Sequence, residues 1–175
     1  CIHGPLINTL SNEPSWSKER LRSILFGDPI PDIYGKKLKG GLANGPIVVA
    51  NLTVASHLIG SSHFPSLKGA ILILEDIGES PYRIDRMLTQ WRLSGILKDL
   101  AGLGFGNFKD CEEPEERSPS KTFQLKEVLI ERTKDLKIPI VTDLPIGHCI
   151  GNAALPLGKE SILNGNNGCL RVISV

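Results

Sequence analysis

The feature that most constrains the fold is an uninterrupted apolar run over residues 70–74, followed at once by two carboxylates. Five consecutive apolar residues have the length of a β-strand, and the lack of alternation predicts that both faces of that strand are covered. Glu75 and Asp76 then end the run, and Pro81 opens a helical pattern that ends near Gly95. A buried strand followed by an amphipathic helix is typical of an α/β domain.

Strand and helix signals alternate along most of the chain, so the predicted class is α/β with a β-rich margin at each end. Residues 28–46 contain four glycines and three prolines, so any strand there should be short or bulged. Residues 110–120 should form an exposed acidic loop, and residues 1–15 a connection. The remaining predicted strands cover residues 47–50, 101–106 and 138–142. Helices are predicted to begin at Ser15 and at Asn51, the second with Leu58 on its inner face, and a further helix to cover 122–135. A hairpin is predicted over residues 155–175.

Composition excludes several classes of function. The 175 residues carry 20 Lys and Arg against 19 Asp and Glu, a net charge of +1, so the chain lacks the basic footprint of a nucleic-acid-binding protein. No apolar run approaches the roughly 20 residues that a transmembrane helix needs. We therefore expect a globular domain that binds neither nucleic acid nor membrane.

The cysteines and most of the histidines show no metal-ligand spacing. The four cysteines are far apart in sequence, which predicts free thiols in a reducing compartment and no disulfide framework. Cys1 could be an amino-terminal nucleophile, and this stays an alternative. His57 is expected on the surface, His63 beside a loop, and His3 in a structural turn, so no metal site is predicted.

Glu75 and His148 are the candidates for chemistry, because each follows a predicted strand, where the reactive groups of α/β sheets collect. A carboxylate that meets an imidazole can orient the ring and stabilise its protonated form. The pattern leaves plainer interpretations open. Glu75 could be an exposed loop carboxylate or a helix cap, and His148 a hydrogen-bonded loop histidine.

Five motifs together resemble the LD-carboxypeptidases, a family that includes murein tetrapeptide carboxypeptidases and microcin C immunity peptidases. The longest is LEDIGESPYRIDRML at residues 74–88, which is similar to the family signature LED-x-x-E-x-P-Y-x-I-D-R-M-L. The others are HGP at 3–5, NLTV at 51–54, PIGH at 145–148 and LPLG at 155–158. Residues 49–50 are Val-Ala where many members have Gly-Gly, which bears on the shape of the substrate pocket.

The resemblance implies that Glu75 and His148 are two members of a Ser-Glu-His triad and that Asn51 lines the substrate pocket. The family's serine lies in a G-Y-S-D segment, which these 175 residues do not contain. We therefore expect the carboxy-terminal half of such an enzyme, inactive by itself, with residues 1–15 as a linker and 16–175 as the domain. The implied fold is a swivelling β/β/α domain with a small barrel-like sheet.

The implied activity is removal of a terminal D-alanine from murein-derived peptides in the cytoplasm, without a cofactor or a metal. The implied partners are the amino-terminal domain of the same protein, the peptide substrate and a second copy in a homodimer. Two alternatives stay open: a peptide-binding or immunity module without turnover, and a hydrolase that uses Cys1.

Overall fold

The computed structural model describes residues 1–112 and 124–173. Two single 3-10 turns occur at Leu10–Asn12 and Ile96–Lys98. The described elements are, in chain order, β1 (Ile2–His3), α1 (Ser15–Phe26), β2 (Ile33–Tyr34), β3 (Lys36–Lys39), β4 (Leu42–Asn51), α2 (Leu52–Ser56), β5 (Ile71–Ile77), α3 (Pro81–Leu93), β6 (Gly102–Lys109), α4 (Leu125–Thr133), β7 (Ile140–Thr142), β8 (Leu155–Pro156), β9 (Glu160–Asn164) and β10 (Cys169–Val172). Helices and strands thus alternate through the middle of the chain, as an α/β domain requires.

One sheet of eight strands, in the order β2-β10-β9-β4-β5-β6-β7-β3, organises the domain. Strands β4 to β7 are parallel, and the strands on either side are antiparallel. The two end strands, β2 and β3, are separated in sequence only by Gly35. A Cβ at Gly35 would collide with the carbonyl oxygen of Thr142, so only glycine fits where the ends of the sheet meet. The sheet is therefore nearly closed, which confirms the predicted barrel-like α/β fold.

Strand β5 runs through the middle of two hydrophobic clusters. Leu72 and Leu74 pack with Trp91 and the other inward-facing residues of α2, α3 and α4. Ile71 and Ile73 point to the opposite face, among residues of β9, β10 and the loop after β7. All four side chains are completely buried. The prediction that both faces of this strand are covered is confirmed.

Strand β4 corrects the prediction for residues 28–46. Short strands do occur at β2 and β3, but β4 begins at Leu42 and continues for ten residues. Its first half, to Pro46, pairs antiparallel with β9, and its second half pairs parallel with β5. Pro46 ends the β9 register, so its missing N–H falls at the change of partner. The glycines and proline therefore allow a strand to change partners instead of shortening it.

Several boundaries also differ from the predictions. Helix α2 ends at Ser56, and Leu58 lies in the turn after it, 39% exposed, so it is not on the inner face of a helix as predicted. Strand β6 extends to Lys109, β7 is shorter than predicted, and α4 covers Leu125–Thr133. The hairpin of β9 and β10 is confirmed. Of the predicted loop at 110–120, Cys111 is buried, and residues 113–120 lie outside the described residues.

The amino-terminal residues pack on the domain. Ile2 and His3 pair antiparallel with Pro156 and Leu155 of β8, and the backbone carbonyl of Cys1 accepts a hydrogen bond from the Leu157 N–H. Helix α1 begins at Ser15, as predicted, with Pro14 as its N-cap, and Gly27 ends it in the left-handed conformation. The domain boundary near residue 15 stays a prediction.

Candidate active site

An irregular pairing at the end of β5 places Glu75. Leu74 pairs with Phe105 of β6 and Asp76 pairs with Phe108, so β6 has one residue more than β5 opposite Glu75. Such a bulge bends the strand locally and changes the direction of a neighbouring side chain. Gly106, one of the two β6 residues opposite Glu75, faces the Glu75 Cβ and the Ile146 carbonyl so closely that a side chain there would clash. The Glu75 carboxylate consequently lies against the loop that follows β7.

That loop carries His148, and the two candidate residues meet. The Nδ1 atom of His148 lies 2.7 Å from Oε2 of Glu75, which confirms the predicted contact. The side chain of Glu75 is 3% exposed, whereas that of His148 is 49% exposed. The interpretation of Glu75 as an exposed loop carboxylate is wrong, because β5 continues past it to Ile77. The pair is thus a buried carboxylate below a half-exposed ring.

Gly147 is the residue that permits this approach. Its φ of +108° is strained for any residue with a side chain. A Cβ at this position would lie 2.5 Å from Oε2 of Glu75 and 2.8 Å from its Cβ and Cγ. The glycine of the Pro-Ile-Gly-His segment therefore lets the backbone lie directly against the carboxylate that His148 contacts.

The geometry determines what the imidazole can do. An ionised carboxylate can only accept hydrogen bonds, so an ionised Glu75 accepts the proton on Nδ1. The neutral ring then has its lone pair on Nε2, where it can take a proton from a nucleophile. If Nε2 is protonated, Glu75 offsets the charge of the imidazolium. The arrangement therefore suits general acid–base chemistry at Nε2.

Asn51 lies next to Glu75, but its amide has other partners. The two residues pair in the β4–β5 register. The Asn51 Oδ1 caps α2 by accepting from the Val54 N–H at 3.0 Å, and its Nδ2 donates to Oδ1 of Asp76 at 2.9 Å. The helix predicted to start from Asn51 is confirmed, with Asn51 as its cap, and a role of Asn51 in substrate binding stays a prediction.

His3 lies beside the pair, which the sequence interpretation as a turn residue missed. It belongs to β1, and its Nδ1 is buried with no hydrogen-bond partner among the described residues. Burial lowers the pKa of the His3 imidazole, with Glu75 opposing and His148 reinforcing that shift. A neutral His3 leaves the charge of Glu75 available to His148. The only sequence signal was the HGP motif itself.

Cys149, next to His148, is a poor nucleophile. Burial raises the pKa of its thiol, and the nearby carboxylates of Glu13 and Glu75 raise it further. A thiol held in its protonated form reacts slowly. The four cysteines are free, as predicted.

A cavity of about 430 Å³ opens beside the His148 loop. Phe105 and Leu144 form part of its apolar wall, and Cys149 and Ile150 border it on the side of the loop. Asn107 contributes a buried Oδ1 that has no partner within the described part of the chain. The exposed wall of this cavity is more polar than apolar, and it borders the loop that carries His148 without including Glu75 or His148 themselves.

Residues 1–112 and 124–173 contain neither a candidate metal site nor a candidate membrane span. No group of three or more His, Cys, Asp and Glu side chains there could hold a metal ion. No helix within these ranges is long and apolar enough to cross a membrane.

One known protein family matches more than half of this chain. The model of the LD-carboxypeptidase C-terminal domain matches residues 44–163. The chain therefore belongs to the LD-carboxypeptidase family, as the motifs indicated.

Individual relatives agree with this family. A protein of Synechocystis sp. named as a carboxypeptidase is 48% identical over 97% of this chain and 55% of its own length. The murein tetrapeptide carboxypeptidase of Pseudomonas aeruginosa is 31% identical over 94% of this chain and 56% of its own length. The chain thus spans about half the length of these curated relatives.

Solved structures match the fold. The muramoyltetrapeptide carboxypeptidase of Oxalobacter formigenes superimposes with a TM-score of 0.84 at 28% identity, over 98% of this chain and 60% of the other. The microcin C7 self-immunity protein superimposes with a TM-score of 0.79 at 19% identity, over 99% of this chain and 60% of the other, and this likeness shows the fold alone.

Proposed function

We propose that this chain is the carboxy-terminal half of a serine-type LD-carboxypeptidase and supplies the glutamate and the histidine of a Ser-Glu-His triad. The observation that carries the proposal is the 2.7 Å contact between His148 Nδ1 and Glu75 Oε2, with the carboxylate buried and the ring half exposed. A general base must be fixed on one side and reachable on the other, and this pair meets both requirements.

In the proposed mechanism, a serine from the amino-terminal half attacks the last peptide carbonyl of the substrate. His148 takes the serine proton at Nε2 and gives it to the nitrogen of the departing D-alanine, which leaves an acyl-serine. Water then attacks the acyl-serine, with His148 again acting first as base and then as acid. Glu75 keeps the proton on Nδ1 in both steps and offsets the imidazolium charge.

The surface around His148 supports docking of an amino-terminal half. Ile150, two residues beyond the histidine, is 81% exposed, and Trp16 is 44% exposed. Trp16 lies so close to Gly151 that a Cβ there would be 2.7 Å from its ring. Exposed large apolar side chains next to a reactive pair are expected where another domain covers the site. The relatives, with almost twice the length, have room for such a domain.

Murein tetrapeptides are the substrate we propose, because the Pseudomonas and Oxalobacter relatives are named for them. The cavity beside the His148 loop would receive part of the peptide. The cytoplasmic location and the homodimer rest on the family resemblance and stay predictions.

The test is to incubate the full-length protein, with its amino-terminal half included, with a murein tetrapeptide and to follow the products by mass spectrometry. We expect catalytic release of D-alanine and a tripeptide, and no release from a tetrapeptide that ends in L-alanine. Tight binding of an intact tetrapeptide would instead support the peptide-binding alternative. Turnover abolished by thiol alkylation, and by Cys1→Ser, would support the Cys1 alternative.

A further inference from the structure

The loop that carries His148 is held by hydrogen bonds from the segment that precedes α1 and from α1 itself. We infer that Glu13 is a positioning residue, which fixes the loop over residues 147–152 and thereby keeps His148 on Glu75. The inference rests on the function proposed above and adds a residue that none of the five motifs contains.

The Glu13 carboxylate is the centre of these contacts. Its Oε2 accepts two backbone hydrogen bonds from the far side of the His148 loop, one from the Gly151 N–H at 2.8 Å and one from the Asn152 N–H at 3.1 Å. Glu13 is only 7% exposed, so little water competes for these bonds. Two charge-assisted hydrogen bonds to one buried oxygen fix the backbone at both residues.

Asn152 passes this constraint to the residue before the histidine. Its side-chain Oδ1 accepts from the Gly147 N–H at 3.0 Å, and Asn152 is itself 8% exposed. Gly147 lies against the Glu75 carboxylate, so its position also determines how His148 can approach Glu75. A displacement of Asn152 would therefore be felt at the contact between His148 and Glu75.

Helix α1 adds two further contacts to the same stretch of chain. The Ser17 hydroxyl donates to the Asn152 carbonyl at 2.8 Å, and Nε of Arg20 donates to the Ala154 carbonyl at 2.8 Å. Both side chains are buried. Three buried polar residues, Glu13, Ser17 and Arg20, therefore form hydrogen bonds to the stretch from 147 to 154.

The Glu13 side chain has no other hydrogen-bond partner among the described residues. Within the described residues, the hydrogen bonds recorded for the Glu13 side chain go to Gly151 and Asn152 alone. Burying a carboxylate is costly unless it is hydrogen-bonded. The charge at this position is therefore used to order one loop, and that loop ends at the proposed general base.

The test compares variants of the full-length protein in steady-state release of D-alanine. Glu13→Ala removes the oxygen that accepts both hydrogen bonds, and we expect kcat to fall by about 10- to 100-fold with KM changed by less than about threefold, because a displacement of about 1 Å at a catalytic group can cost that much. Glu13→Gln keeps a side-chain oxygen for the two N–H groups and should restore most of kcat. This rescue separates positioning from a simple loss of charge.

Ser56→Ala is the matched control. It removes another buried hydrogen bond, 2.8 Å long, from the Trp91 indole in the opposite hydrophobic cluster. It should lower stability but leave kcat per folded molecule unchanged. If Glu13→Ala does not fold, Asn152→Leu against Asn152→Asp serves as the second comparison, since only Asp keeps the acceptor for the Gly147 N–H.

A folded Glu13→Ala protein with kcat within twofold of the wild type would overturn the inference, as would a Ser56→Ala protein with an equal loss of kcat. Failure of the proposed function looks different, because His148→Ala would then retain full activity. An inactive His148→Ala beside a fully active Glu13→Ala would reject only the role of Glu13.

Discussion

Two neighbouring carboxylates at the end of β5 face opposite sides of the sheet and have opposite surroundings. Asp76 faces the helical layer and accepts four hydrogen bonds, from the Asn51 amide, the Thr53 N–H and hydroxyl, and the Ile77 N–H. Glu75 faces the other side, and its recorded side-chain bond is to His148, whose ring is half exposed. The Asp76 carboxylate is thus surrounded by hydrogen-bond donors of the fold. The buried Glu75 carboxylate instead contacts the His148 ring, which is partly exposed to solvent.

The end of β5 thus holds Asp76, which stabilises the fold, beside Glu75, which we propose for catalysis. Asp76 ties the start of α2 to β5 and keeps β4 and β5 in register next to Glu75. Because side chains alternate across a strand, the same backbone holds Glu75 on the opposite face, free of those donors. The hydrogen bonds of Asp76 therefore fix the strand end that carries Glu75, the residue that we propose for catalysis.

The largest expected effect is the loss of catalysis on substitution of His148 or Glu75. In the full-length protein, His148→Ala should lower kcat by about 10⁴- to 10⁶-fold, and Glu75→Gln by about 10⁴-fold, because loss of a triad member removes the base or its tautomer. Release of D-alanine from a murein tetrapeptide measures both. His57→Ala and Glu160→Gln, at exposed positions, are the controls and should match the wild type. Variants of Glu75 and His148 with wild-type rates would leave only a binding role.

Substitution of Asp76 should instead lower the stability of the fold. Asp76→Ala leaves the partly buried donors of Asn51 and Thr53 without their acceptor, and we expect the free energy of unfolding to fall by about 3 kcal/mol, a typical cost for charge-assisted hydrogen bonds. Urea denaturation measures this. Asp28→Ala, which breaks an exposed ion pair with Arg22, should cost less than about 1 kcal/mol. Equal losses for the two variants would contradict the contrast between the faces.

Replacing Gly147, in the loop that carries His148, should affect activity more than stability. Gly147→Ala pushes a methyl group against Glu75, so we expect a loss of about 10²-fold in kcat, as for other small displacements of catalytic groups. Gly158→Ala is the matched control. Its φ of +80° carries similar backbone strain, but no atom lies within 4 Å of the added Cβ. If both variants lose activity equally, backbone strain and not contact with Glu75 is responsible.

The smallest effect lies far from the site, in the helical layer. Arg92 of α3 forms a bidentate pair with Asp135, just after α4, and this hydrogen bonding lowers the pKa of Asp135 from 3.8 to about 2. The stability that the pair contributes is present above about pH 4 and is lost as the pH falls through about 2. Asp135→Asn should therefore reduce the acid dependence of unfolding between pH 4 and 2, measured by urea denaturation at several pH values. An unchanged pH profile would show that the pair is not formed in solution.

The sequence predicted the parts of this molecule that depend on local patterns and motifs. The apolar run indicated β5 and its two covered faces, and the motif at 74–88 together with the Pro-Ile-Gly-His segment indicated that Glu75 and His148 belong to one site. The length of β4 was missed, because its glycines and Pro46 resemble breakers unless the change of partner strand is known.

Apart from the contact between Glu75 and His148, which the family motifs indicated, contacts distant in sequence could not be predicted. Glu13 is separated from Gly151 by 138 positions, and no periodicity relates an acidic residue before a helix to a loop near the other end of the chain. His3 was assigned to a turn because its pairing with Leu155 of β8 is equally remote. Buried polar residues whose partners lie on other elements give no local signal.

The most direct test of the central claim compares the 175-residue chain with the full-length protein in the same assay for D-alanine. On the proposed mechanism, Glu75 and His148 cannot form the acyl-serine without the serine of the amino-terminal half, so we predict release by the full-length protein and none measurable from the 175 residues, even at high concentration. Release by the 175-residue chain at a rate comparable to that of the full-length protein would contradict the account, because the nucleophile would then lie within these residues.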